Sequence, residues 1–170
     1  ESAPADGPLV MADLVEGLAA VLRAEATPGP LVLVGNSLGG FLSLVHADRH
    51  RDDVRLVVAV NGAIMRGGNA EAAALLLPRT RNDARRVMEA LVSPKAPRIP
   101  DFVLDDLVSR ARVSPLSRLT NAPLSTIEEW LLDDRLAGIQ TPVVLIWGAD
   151  DQLIPPRYAE QALERLPNAT

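Results

Sequence analysis

A chain of 170 residues with 48% apolar and 23% charged residues is long enough to bury a core and too apolar to be disordered. It has no cysteine, which excludes a disulfide framework and thiolate chemistry, and its formal net charge of −5 argues against nucleic acid as a partner. No run approaches the roughly 20 apolar residues that cross a membrane, and two histidines on one helix give no zinc-ligand set. The expectation is therefore a cytoplasmic globular protein without metal or cofactor, its interior filled by Leu, Val and Ala because aromatic residues make up only 3%.

Residues 9 to 24 place Met11, Leu14, Val15, Leu18, Val21 and Leu22 at helical spacing. Pro28-Gly29-Pro30 ends the connection into a first strand, Leu31 to Val34. The strand breaks into Gly35-Asn36-Ser37-Leu38-Gly39, after which Leu38, Phe41, Leu42 and Val45 resume helical periodicity. A serine hydroxyl is a poor nucleophile until it is held out of the backbone, against a base and beside free N–H groups. A strained turn between strand and helix does this, and the helix N-terminus supplies N–H donors. Ser37 is thus the expected reacting residue, with Gly35 and Gly39 expected where a Cβ would strike neighbouring backbone. His46 and His50 follow on the same helix. His46 lies roughly 13 Å along the axis from Ser37, beyond the about 3 Å reach of a general base, so both read as helix-surface or helix-end residues.

Residues 54 to 60, VRLVVAV, read as a second strand closed by Asn61-Gly62, and 143 to 147, VVLIW, as a third. Pro155-Pro156 opens a last helix. Val- and Leu-rich strands without polar alternation imply a parallel sheet with helices on each side. About 80 residues without strand signal separate the second and third strands, longer than an ordinary crossover. Helices are expected there near 70–77, 80–93 and 101–112, and at 125–132 from a capping box at Ser125-Thr126-Ile127-Glu128. In the last of these, Trp130 is expected to pack the insertion onto the body. Between Arg79 and Arg118 nine basic residues face five acidic ones, leaving that stretch at +4 and the remainder at −9. A basic lid of this kind would steer anionic substrates, although solvated helix faces read the same way.

The serine turn resembles that of the α/β-hydrolase family, and PVVLIWGADDQLIP at 142 to 155 is similar to the family's late strand and acid-bearing loop. The resemblance implies a partial α/β-hydrolase fold with a helical cap, divided into core residues 1–64, cap 65–138 and core 139–170. It implies Ser37 as nucleophile and Asp151 as triad acid, with Asp150 as the fallback. It also implies the Leu38 N–H as an oxyanion donor in an elbow formed by Gly35, Asn36 and Gly39. The family's histidine follows one further strand, and residues 166 to 170 show no strand signal. The early strand carrying a second oxyanion donor is likewise not found ahead of the first helix. These residues are therefore expected to be an internal segment of a longer hydrolase, inactive alone, with Leu31 to Val34 an aggregation-prone edge.

The implied activity is carboxylesterase-like hydrolysis of a small acyl substrate. Asn36 beside the serine resembles family members that cleave carbon–carbon bonds in ring-fission dienoates, whose anionic substrates suit a basic insertion. Thioesterases, amidases, lactonases and cofactor-free perhydrolases also belong to the family. The alternative of another class is a non-catalytic ligand-binding protein, which would need neither Ser37 nor Asp151.

Overall fold

A computed structural model describes residues 9–25, 29–62, 76–114, 117–118 and 128–170. Helix α1, Met11–Ala24, buries Met11, Val15 and Ala19, one residue per turn along a single stripe. Asp13 starts it by accepting the Val10 N–H at 3.0 Å. Strand β1, Leu31–Asn36, leads through Ser37 into α2, Leu38–Arg49, and β2 spans Val54–Val60. Helices α3, Arg81–Leu91, and α4, Asp101–Val113, precede β3, Val143–Ile146, and α5, Arg157–Leu163. Residues 70–75 of the helix expected near 70–77 lie outside the described residues, and 76–77 form a turn. Of the helix expected at 125–132, 125–127 lie outside them, and the structure corrects the rest, since 129–132 are turn and irregular backbone rather than helix.

The three strands form one parallel sheet in the order β1-β2-β3. Its register aligns Leu33 with Val57 and Val57 with Val143, and these three side chains are buried on the face where α2 packs. Along the other face Val32, Val34 and Ile146 are 43%, 69% and 50% exposed. The sheet is flanked by helices, and among the described residues the face on which α2 packs is the more deeply buried of the two. Apolar runs signal that both faces suit burial; they carry no information on which chain segment does the burying.

β1 lies at the sheet's edge, as expected. At the opposite edge no strand forms at 166 to 170, as expected, but Ala169 makes an isolated parallel bridge with Val143. Val143 donates to the Asn168 carbonyl at 3.0 Å, Leu145 to that of Thr170 at 2.8 Å, and Thr170 to that of Val143 at 3.0 Å. Pro167-Asn168 carries turn chemistry, which hid a pairing made through backbone alone.

Between β2 and β3, α3 and α4 enclose their own small cluster of Ala84, Leu104 and Val108. α3 begins with a reciprocal cap that sequence reading missed. The Thr80 hydroxyl accepts the Asp83 N–H at 3.1 Å, and the Asp83 carboxylate accepts the Thr80 N–H at 2.9 Å. Hydrogen bonding to the Thr80 side chain and backbone lowers the Asp83 carboxyl pKa from its ordinary value. Trp130, Leu132 and Leu136 belong instead to the main core, where the Arg49 guanidinium lies 4.2 Å from the Trp130 ring centroid.

Much of the insertion's positive charge is matched locally. Arg81 pairs with Asp105 at 2.6 Å and Asp101 at 3.2 Å, Arg85 with Asp101 at 2.9 Å, and Arg110 with Asp106 at 2.7 Å. No helix among the described residues is long and apolar enough to cross a membrane.

Candidate active site at the carboxyl end of the sheet

Ser37 has φ 52° and ψ −119°, in the left-handed half of backbone space that non-glycine residues avoid. Its N–H donates to the Val60 carbonyl at 2.8 Å, and its carbonyl accepts the Phe41 N–H at 3.2 Å. The serine is therefore pinned to β2 on one side and to the first helical turn on the other. Its hydroxyl makes no capping bond, so helix capping does not occupy it. Leu38, the first helical residue, has an N–H with no intrahelical acceptor.

The glycines around the bend divide their work differently from the expectation. A Cβ on Gly35 would lie 2.2 Å from the Gly39 carbonyl carbon and oxygen and 2.5 Å from the Gly40 nitrogen. A Cβ on Gly39 would meet nothing within 4 Å, which corrects the role assigned to it. The second constrained glycine is Gly40, whose Cβ would sit 3.0 Å from the Gly35 carbonyl oxygen and 3.4 Å from the Ala59 Cβ. Helix α2 drops onto β1 and β2 at this point, so the close approach falls one residue later than symmetry about the serine suggests.

Asp151 and Asp150 are not equivalent. Asp150 is exposed. The Asp151 carboxylate accepts the Leu153 and Ile154 N–H groups through Oδ1 at 2.9 and 2.8 Å, and the Asn61 amide through Oδ2. The loop is tied down further by the Trp147 indole N–H, which donates to the Ile154 carbonyl at 2.7 Å.

Because the parallel strands end in step, Ser37, Asn61 and the Gly148–Asp151 loop follow the carboxyl ends of three successive strands. The serine and acid loops are thus two strand spacings apart, about 10 Å, with Asn61 between them. Sequence reading treated Asn61 only as a turn residue. Its signal was its position directly after a strand aligned with those bearing Ser37 and Asp151.

Neither histidine reaches this site. His46 is only 4% exposed, which corrects its reading as a helix-surface residue, and its Nδ1 has no hydrogen-bond partner. It stacks on His50 with ring centroids 4.4 Å apart. Both rings, with Arg23, Leu31 and Asp53, line a cleft of about 300 Å³ at the start of β1, the opposite end of the sheet. Burial pushes the His46 pKa down, His50 and Arg23 push it the same way, and Asp53 opposes them. Among the described residues no cluster of three or more His, Asp or Glu side chains could hold a metal ion.

A second cleft, of about 390 Å³, lies between α3, the Ser93–Ile99 connection and Gln152. Met88, Val92 and Ile99 supply apolar wall, and Arg85, Glu89 and Arg98 add charge. Gln152 is the residue after Asp151, so this cleft adjoins the acid loop.

A sequence profile of the alpha/beta hydrolase family matches residues 2–170. The chain belongs to the alpha/beta hydrolase family. It is 30% identical over 178 residues to the pimeloyl-acyl-carrier protein methyl ester esterase of Neisseria meningitidis serogroup B, with 96% of this chain and 66% of that protein covered. Among solved structures, the lipase candidate lip1 of Acinetobacter baumannii AYE superposes with a TM-score of 0.79 at 20% identity, covering 99% of this chain and 60% of that one. The meta-cleavage product hydrolase of Pseudomonas fluorescens IP01 gives 0.77 at 17%, covering 99% and 64%. The chain therefore spans about two-thirds of the length of these proteins.

Proposed function

We propose that this chain carries the nucleophile and acid of a serine hydrolase that cleaves a small carboxylic ester. The observation that supports it best is Ser37, held at φ 52° with its hydroxyl uncommitted to the helix it begins. In this reading Ser37 Oγ attacks the ester carbonyl carbon and a histidine supplied from outside these residues takes the hydroxyl proton. The Leu38 N–H binds the resulting oxyanion. The imidazolium, oriented by Asp151, then protonates the departing alcohol. Water, deprotonated by the same imidazole, attacks the acyl-serine carbonyl; the acyl–Oγ bond breaks, the imidazolium returns its proton to Ser37 Oγ, and the acid is released.

The cleft beside Gln152, walled by Met88, Val92 and Ile99, offers apolar surface near the acid loop for an acyl chain. Ester cleavage is preferred because the relative at 30% identity is a methyl ester esterase, whereas the carbon–carbon hydrolase at 17% shares the fold alone. Asn36 beside the nucleophile keeps carbon–carbon cleavage as the second reading. Neither histidine of residues 1–170 lies within reach of Ser37, so these residues alone are expected not to turn over substrate.

The test uses the full-length protein with short-chain p-nitrophenyl esters and a ring-fission dienoate, each beside Ser37→Ala. Ester turnover should fall by at least about 10³-fold in the variant. Equal rates in the two proteins would reject serine catalysis, and turnover of the dienoate alone would select the second reading.

A further inference from the structure

A carboxylate has about four acceptor positions, two on each oxygen. In Asp151 both positions on Oδ1 are taken by the Leu153 and Ile154 N–H groups. Asn61 Nδ2 takes one on Oδ2. A single acceptor position is therefore left, on Oδ2.

The residue that narrows the choice is itself held in an unfavourable conformation. Asn61 follows β2 directly with φ 47°, and its N–H donates to the Ile146 carbonyl at 2.9 Å, locking its backbone to β3. Asparagine tolerates the left-handed region better than most residues and adds an amide donor. Glycine would accept the conformation without the donor. Aspartate would accept it and present a second acceptor to Asp151. Gly148 adjoins this contact: a Cβ there would lie at ordinary van der Waals distance, 3.6 Å from Asn61 Nδ2 and 3.8 Å from the Asp151 Cβ, so the contact does not depend on glycine at that position.

We propose that Asn61 is a positioning residue: its amide fixes the rotation of the Asp151 carboxylate, so that one Oδ2 acceptor position is presented to the triad imidazole. The role rests on the serine-hydrolase reading above. It acts through Asp151 and touches no substrate.

The test measures steady-state kinetics and pH profiles of the full-length protein with Asn61→Gly, which keeps the backbone conformation, and with Asn61→Asp, which keeps the shape. Loss of a hydrogen bond to a charged group should lower kcat about tenfold to a hundredfold in Asn61→Gly and leave KM within about twofold. With less of its charge neutralised, the carboxylate should favour the imidazolium more. The acidic limb of kcat/KM should then move to higher pH, and further in Asn61→Asp, where a second carboxylate adds to the field.

An unchanged kcat and an unmoved limb in both variants would overturn the proposal. So would a loss of activity that is uniform across pH and accompanied by a lower melting temperature, which marks a merely structural role. Ser37→Ala run in parallel separates the two levels. If it retains full activity, the serine reading falls and this inference with it. If it is inactive while Asn61→Gly behaves as wild type, the positioning role alone is rejected.

Discussion

The two ends of α2 solve opposite problems. At its start, Ser37 sits in strained backbone with its N–H and carbonyl both bonded and its hydroxyl left over. Near its end, His46 sits in ordinary helix with its side chain buried and Nδ1 unpaired. Strain in a fully bonded backbone must be maintained by its surroundings, and such strain concentrates where a side chain has to be aimed. An unpaired nitrogen buried at the wall of a cleft at the far end of the sheet carries a desolvation cost and faces no group of the serine site. Of the two polar groups on one helix, the first is therefore the candidate for chemistry, despite the general usefulness of histidine as a base.

That contrast breaks most sharply at Gly35. A Cβ there would fall 2.2 Å from backbone atoms of Gly39, and no flexible side chain can yield to relieve it. In Gly35→Ala the serine bend has to open, at a cost of about 3 kcal/mol or more. Urea denaturation should show the loss of stability, and ester hydrolysis should disappear with it. A folded and active Gly35→Ala protein would mean that the bend does not hold Ser37 in the way described.

The other end of α2 should respond to pH. The His46 pKa is lowered from its ordinary value of 6.5, chiefly by burial, so the unfolded chain binds a proton that the folded protein resists. Stability contributed by neutral His46 is present above that value and is lost as pH falls from about 6.5 through the lowered folded pKa. His46→Leu removes both the titration and the unpaired nitrogen. It should match or exceed wild-type stability at pH 5 and show a flatter decline between pH 7 and 5, read from urea midpoints. An unchanged slope would show that other groups set acid stability. Ester hydrolysis at pH 8 should be unaffected, in contrast to any variant at the Ser37 end.

The same contrast explains what sequence reading reached. Leu31 to Val34 followed by Gly35 and Ser37 is a local pattern, in which each residue's role depends on neighbours a few positions away. The strands, the bend and the helices over 81–91 and 101–113 were legible for that reason. Asn61 was not, because its bond to Asp151 spans 90 positions and appears only once the strand register is known. The burial of His46 was hidden similarly. α2 buries Gly40, Phe41, Ser43, Leu44, Val45, His46 and Ala47, so it has no single polar face on which a histidine could be placed from periodicity. Thr80 and Asp83 were missed for a smaller reason: the pair follows the capping-box spacing, but with Asp in place of the usual Glu or Gln.

The finest division lies between the two glycines flanking the serine. Sequence symmetry gives Gly35 and Gly39 one role, yet open space surrounds the Cβ position of Gly39, and its φ lies outside the left-handed region. It occupies the first turn of α2, where alanine costs less conformational entropy than glycine. Gly39→Ala should therefore be neutral or stabilising by up to about 1 kcal/mol, measured by the same denaturation as Gly35→Ala. If the two substitutions prove equally damaging, the geometry of the bend described here is wrong at its helical side. If they separate, the tolerance of G-x-S-x-G to a side chain is one-sided: the strand-side glycine makes room for the helix, and the helix-side glycine only begins it.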